Sequence, residues 1–67
     1  MTTWLCVDEN GGENICSAIP RRDKYLNYNF WNVEEWQNIV DLPDGTIKKL
    51  IGKKLTWKDE PLEFNHL

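Results

Sequence analysis

A chain of 67 residues is read as one domain, residues 1–67, and at this size only about 60% of the surface exposed by the unfolded chain is buried, which excludes a second core and predicts a thin first one. Hydrophobic residues make up 40% and charged residues 28%, a balance that excludes an intrinsically disordered chain. Eight Lys and Arg against eleven Asp and Glu leave a net charge of −3, which argues against the broad phosphate neutralisation of nonspecific DNA binding and so against nucleic acid as a partner.

The charges are uneven along the chain. Residues 1–19 carry Asp8, Glu9 and Glu13 with no base, while residues 20–36 and 37–67 are each balanced, so any basic patch has to be local. TWLCV (3–7) and NICSAI (14–19) are short apolar runs separated by DENGGE, where Asn10, Gly11 and Gly12 tolerate the positive φ of a tight turn. The pattern predicts a β-hairpin. With Gly11 at its tip, Val7 would face Ile15 and Cys6 would face Cys16. Leu5, Val7, Ile15 and Ile19 would then share one side, with Trp4, Cys6, Cys16 and Ala18 on the other. Both faces carry apolar residues, so both are expected to be covered.

Pro20 cannot donate to a ladder and is expected to end the second strand. Residues 20–35 (PRRDKYLNYNFWNVEE) show neither clean alternation nor a helical stripe, and are read as a long loop. Asn32 followed by Glu35 fits a capping box, and Val33, Trp36 and Val40 fit a short helix; Trp36 to Leu42 fits a strand as well. One helical turn followed by a strand is the reading adopted for residues 33–40. Leu42-Pro43-Asp44-Gly45 marks a turn, after which TIKKLIG places Ile47, Leu50 and Ile51 at helical spacing, with Gly52 at the stop. Asp44 or Thr46 is the expected cap, and Lys48 and Lys49 fall on the outer face. KLTW (54–57) and PLEF (61–64) read as two last strands around Lys58-Asp59-Glu60.

The expected fold is therefore a small α+β domain with a mostly antiparallel sheet and one short helix; an SH3-like small barrel would give a similar pattern.

The run LPDGTIKKLIGKKLTWKDEP (42–61), together with Trp4-Leu5-Cys6 near the start, resembles a set of small proteins encoded by tailed phages and prophages. They open with a Trp-x-Cys strand and close with the same Leu-Pro-x-Gly, Ile-x-x-Leu-Ile-Gly and Leu-Thr-Trp-x-Asp-Glu-Pro elements. The likeness covers about half of the chain and departs from the pattern in residues 20–36, which are longer and more aromatic. It implies a phage origin, and with it the cytoplasm of an infected bacterial host; it implies no mechanism.

The residues offer little to a catalyst. Cys6 and Cys16 lie in strands and the single histidine, His66, is far from both in the sequence, so neither a paired nucleophile nor a four-ligand zinc site is encoded. Gly52-Lys53-Lys54 lacks the earlier Gly and the following Ser or Thr of a phosphate loop. Neighbouring acids such as Asp59 and Glu60 read as solvated turn residues. The expectation is a protein that is not an enzyme and uses no cofactor or metal. No apolar run is long enough for a membrane span or a leader, so no membrane partner is expected, and the two thiols are expected to be reduced.

The segment that needs explaining is the middle one. Tyr25, Tyr28, Phe30, Trp31 and Trp36 are five of the eight aromatic residues, and Arg21, Arg22 and Lys24 stand beside them. Rings stack on bases and guanidinium groups fork onto phosphates, so Arg21, Arg22, Lys24, Tyr25, Tyr28, Trp31 and Trp36 are the candidate ligand-binding residues. A nucleotide-derived immune signal, sequestered by a phage anti-defence protein, is the first expectation. A host defence or takeover protein, bound and inhibited through exposed rings, is the second, and a minor structural phage component the third. Against all of these stands the use of the same rings as cover for a thin core. Lys48, Lys49, Lys53 and Lys54 form a second basic run, read mainly as a solvated face. A core this small, without disulfide or metal, also predicts self-association into a homo-oligomer.

Overall fold

A computed structural model describes residues 2–35 and 38–65. Six strands and one helix follow in the order β1 (Thr2–Val7), β2 (Glu13–Cys16), β3 (Arg21–Tyr25), β4 (Tyr28–Asn32), β5 (Ile39–Leu42), α1 (Thr46–Ile51) and β6 (Leu62–Asn65). The fold is the expected small α+β arrangement, and every strand pair is antiparallel. β5-β2-β1-β6 form one open sheet and β3-β4 a separate ribbon, so the strands do not close into an SH3-like barrel.

The first hairpin forms where the apolar runs and the glycine turn place it. Gly11 adopts φ +88° and donates its N–H to Asp8 O at 2.9 Å, and Asp8 N–H closes onto Gly12 O at 2.8 Å. A side chain at Gly11 would be strained in this left-handed conformation. The loop is centred one residue earlier than expected, so the register is Leu5 opposite Ile15, Cys6 opposite Asn14 and Val7 opposite Glu13. The slip is by two positions relative to the pairs Val7–Ile15 and Cys6–Cys16. A shift of two keeps every side chain on its own face, which is why the division into two faces holds although the pairs differ. β2 stops at Cys16, and Ile19, expected in the core, is 64% exposed.

Both faces of this sheet are covered. On one, Leu5 and Val7 pack with Ile47 of α1 and with Leu55, flanked by Ile15, Leu42, Ile51, Leu62 and Phe64. On the other, Cys6 and Cys16 pack with Trp31 and Val33, flanked by Ile39 and Trp57. The sheet thus lies between the helix and the β3-β4 ribbon, and the alternation of β1 feeds one core with its odd residues and the other with its even ones. Buried polar groups are satisfied: Thr3 Oγ1 donates to Phe64 O at 2.7 Å and Asn14 Nδ2 to Asp8 Oδ2 at 3.1 Å. Among the described residues no buried side-chain nitrogen or oxygen lacks a partner.

The helix forms over the expected residues and stops at Gly52, which has φ +78° and donates to Lys48 O at 2.8 Å. Its cap comes from elsewhere. Neither Asp44 nor Thr46 caps the first turn: Thr46 Oγ1 donates back to Pro43 O, while the Glu13 carboxylate of β2 accepts from Gly45 N–H at 2.6 Å and Ile47 N–H at 2.7 Å. A charged acceptor for two orphan amides fixes the helix on the sheet as well as starting it. Leu50, expected on the underside, is 45% exposed. Six residues give only one full turn against the sheet, and Ile47 and Ile51 fill it.

Two further expectations are corrected, one at residues 54–57 and one at residues 32–35. KLTW is not a strand: residues 54–56 belong to no ladder, and Thr56 to Asp59 form a turn closed by Asp59 N–H to Thr56 O at 3.0 Å and by Thr56 N–H to Asp59 Oδ2 at 2.7 Å. The last strand does form and pairs with β1, Leu5 opposite Leu62. Residues 33–35 make no capping box with Asn32, which is a β4 residue whose amide donates to Asp23 Oδ2 at 2.9 Å. Asn38 N–H donates to Glu35 O at 2.9 Å, and β5 follows from Ile39; Trp36 and Gln37, part of the expected helical turn, lie outside the described residues.

Candidate functional site: the β3-β4 hairpin

The segment expected to be a loop is a hairpin. Arg21 pairs with Asn32, Arg22 with Trp31, Asp23 with Phe30, Lys24 with Asn29 and Tyr25 with Tyr28, leaving Leu26 and Asn27 as a two-residue turn. Its strands were hidden because β3 (RRDKY) is exposed throughout, so no apolar alternation marks it. Cross-strand partners, rather than burial, make it a strand. Leu26 takes φ +55° at the tip, a conformation usually left to Gly or Asn in such turns.

Pairing divides the candidates between two faces. Arg22, Lys24, Asn29 and Trp31 point towards the sheet, and Arg21, Asp23, Tyr25, Tyr28, Phe30 and Asn32 point away from it. Trp31 is 3% exposed; its indole Nε1–H donates to Val7 O at 2.9 Å and its backbone N–H to Asp8 Oδ1 at 3.0 Å. The Arg22 guanidinium lies 4.4 Å from the Trp31 ring centroid and 4.5 Å from that of Trp57, two rings whose centroids are 5.2 Å apart. From there Nη1 donates to Trp57 O at 2.8 Å, Nη2 reaches Lys58 O and Asp59 O at 3.4 Å, and Glu60 lies at 3.8 Å. Arg22 and Trp31 are therefore used inside the fold, locking the hairpin's root to the 57–60 turn. A guanidinium already forked onto backbone carbonyls is not the free phosphate fork expected of it. Trp57, absent from the expected set, belongs here; nothing in the sequence signals a ring 26 positions beyond Trp31 as its neighbour.

The tip is different. Tyr25 is 70% exposed, Leu26 79% and Tyr28 40%. The Tyr28 ring stacks on half-buried Phe30, centroids 6.0 Å apart and planes 11° apart. Partial desolvation, followed by the charges of Asp8, Glu9 and Asp41, raises the Tyr28 hydroxyl above its ordinary range, so the tip sits in an acidic surround. Asp23, accepting from Lys24 N–H and then Asn32, and facing Arg21, is held below the usual carboxylate range. Arg21 and Lys24 are exposed, and Lys24 borders a shallow cleft of about 380 Å³ with Arg22, Asn29 and Trp57. Of the seven candidates, Tyr25 and Tyr28 meet at the tip, Arg21 and Lys24 lie on opposite faces, Arg22 and Trp31 lie at the root, and Trp36 falls outside the described residues.

The thiols are buried. Cys6 and Cys16 are diagonal neighbours with Sγ atoms 3.8 Å apart. Contact with Cys16, and then burial, push the Cys6 thiol far above the ordinary range, while the same contact lowers Cys16. No described group of three or more His, Cys, Asp or Glu residues is placed to hold a metal ion, and no described helix is long and apolar enough to cross a membrane.

No family model, curated protein or solved structure matches the chain. The site is read from its own geometry.

Proposed function

We propose that this chain is a non-catalytic binding protein of phage type that acts in the cytoplasm of an infected bacterium by docking on a host defence or takeover protein through the tip of the β3-β4 hairpin. The observation that carries this reading is the exposure of Tyr25, Leu26 and Tyr28 at 70%, 79% and 40% on a hairpin whose root is locked by Arg22. Rings presented to solvent on a rigid support lose little freedom on binding, and tyrosines are prominent among residues that dominate interface energetics. The carboxylates of Asp8, Glu9 and Asp41 near Tyr28 favour a partner whose apolar pocket is rimmed by Lys or Arg.

Sequestration of a nucleotide-derived signal by the ring and Arg constellation is less well supported, because Arg22 and Trp31, two of its members, are occupied within the fold. The test is phage plating on defended bacteria expressing the parent chain, Tyr25→Ala with Tyr28→Ala, or Arg21→Ala, each first checked for folding by circular dichroism. The double variant is expected to lose protection, and a photo-crosslinker at position 26 to trap one host protein with the parent tip but not with the double variant. Undiminished protection by a folded double variant refutes the proposal.

A further inference from the structure

The four-stranded sheet is open, and β5 forms one of its edges. The ladder fixes which peptide groups of β5 are already used. Asp8 N–H bonds to Gly12 O, so the hydrogen-bonded pairs of the β1-β2 ladder fall on the even residues, and Glu13 and Ile15 turn their peptide groups to β5 instead. Ser17 N–H, just beyond β2, donates to Asn38 O at 2.9 Å in the same phase. With Ile15 opposite Val40 and Glu13 opposite Leu42, Val40 and Leu42 spend their N–H and C=O groups on β2. Ile39 and Asp41 point theirs outward, where no described strand pairs with them. Val40 stands on the same face as Ile15 and the helix, yet is 56% exposed.

The other strand edges are guarded by what they carry. Along β3 the outward peptide groups belong to Arg22 and Lys24, and two copies of this strand would set Asp23 against Asp23 and Arg22 against Lys24. On β4 the outward Trp31 N–H is already taken by the Asp8 carboxylate at 3.0 Å. The exposed residues of β6 are the polar Glu63 and Asn65, while its apolar Leu62 and Phe64 are packed against the core. β5 alone combines unpaired peptide groups with an exposed apolar side chain, the combination that draws a further strand onto a sheet.

We propose that the occupant is a second copy of this chain, paired antiparallel through β5 with the two-fold axis at Val40. The edge is self-complementary in that register. Ile39 and Asp41 of one copy exchange N–H and C=O with Asp41 and Ile39 of the other, and Val40 meets Val40 at a non-hydrogen-bonded position, where side chains approach most closely. Asp41 lies opposite Ile39, so no like charges oppose each other. Pro43, the next outward position, has no N–H and ends the seam. Pairing joins two four-stranded sheets into one and extends a core that is thin in the single copy. The seam is short, so the dissociation constant is on the order of 10–100 µM. The dimer is read from the free chain and does not rest on docking at the hairpin tip.

The experiment is analytical ultracentrifugation of the full chain, expected to sediment as a monomer at about 1 µM and mainly as a dimer at about 1 mM. Val40→Lys sets two ammonium groups against each other at the axis, and Asp41→Pro deletes an outward N–H without touching the ladder to β2. Each should weaken association by at least about tenfold. Asn65→Pro deletes an outward N–H from the β6 edge instead and should change it by less than about twofold. Circular dichroism checks that each variant folds. In the parent chain, hydrogen exchange at the Ile39 and Asp41 amides should slow as concentration rises, while that of Val40, already bonded to β2, stays the same. A chain that stays monomeric at about 1 mM overturns the proposal. So does undiminished association in folded Val40→Lys, an equal loss with Asn65→Pro, or a dimer in which the Ile39 and Asp41 amides exchange as they do in the monomer.

Discussion

The root and the tip of the β3-β4 hairpin draw on the same kinds of residue and use them in opposite ways. At the root, Trp31 is 3% exposed and Arg22 is held between two rings with its donors on backbone carbonyls. At the tip, Tyr25 and Tyr28 stand in solvent, and neither is part of either core cluster. The difference teaches that an aromatic and basic composition does not by itself make a binding surface. Strand register decides, because alternate residues of one ribbon face the core and the solvent in turn.

The largest effect that would sharpen this contrast is expected at Trp31. Trp31→Ala removes a buried ring, leaves Val7 O without its indole donor and should cost about 3–5 kcal/mol, enough to unfold a domain whose total stability is of that order. Urea denaturation followed by circular dichroism measures it; a loss below about 1 kcal/mol would show that the root is not structural. Arg22→Lys keeps the charge but loses the fork, and should cost about 1–3 kcal/mol through its carbonyl bonds and ring contacts. A neutral result in the same assay would return Arg22 to the list of free ligand groups.

At the tip the expected stability changes are smaller and of the other sign. Leu26→Gly relieves a left-handed φ at a residue that is 79% exposed. It should leave the melting temperature unchanged or raise stability by up to about 1 kcal/mol, because the gain in the folded state is offset by the added freedom of the unfolded chain. A clear loss would mean that the leucine packs on something and that the tip is less open than the root comparison requires.

The smallest effect is electrostatic. Asp23 joins the two strands on the outer face, and its folded carboxyl is held below the ordinary value of 3.8, first by Lys24 N–H and then by Asn32. Its contribution to stability is therefore complete above the unfolded value and fades as pH falls through the lower folded one. A carboxyl-carbon titration by NMR should place its midpoint below 3.8 in the parent and closer to that value in Asn32→Ala. An unshifted parent midpoint would break the picture of an ordered outer face.

How much of this was legible beforehand follows from how far each feature reaches along the chain. The first hairpin, the two apolar faces of β1, the helix over Thr46–Ile51 and its stop at Gly52 are local: alternation, positive-φ glycines and helical spacing act within a few residues. The small α+β fold was readable from them. β3 and β4 were not, because an exposed strand carries no burial pattern and is stabilised by its partner strand and by Arg22 reaching the 57–60 turn, 35 residues away at Trp57. The same holds for Leu50, turned out to solvent because Ile47 and Ile51 already fill the space under a one-turn contact. It holds also for Glu13, which caps a helix that starts more than thirty residues later.

By itself the sequence determined where the chain turns and which residues are apolar enough to be covered, since those follow from backbone freedom and side-chain chemistry at each position. Only the tertiary structure decided which rings are consumed and which remain. That choice depends on register and on partners distant in the chain, and a shift of two residues in one hairpin alters the partners while leaving every local preference satisfied.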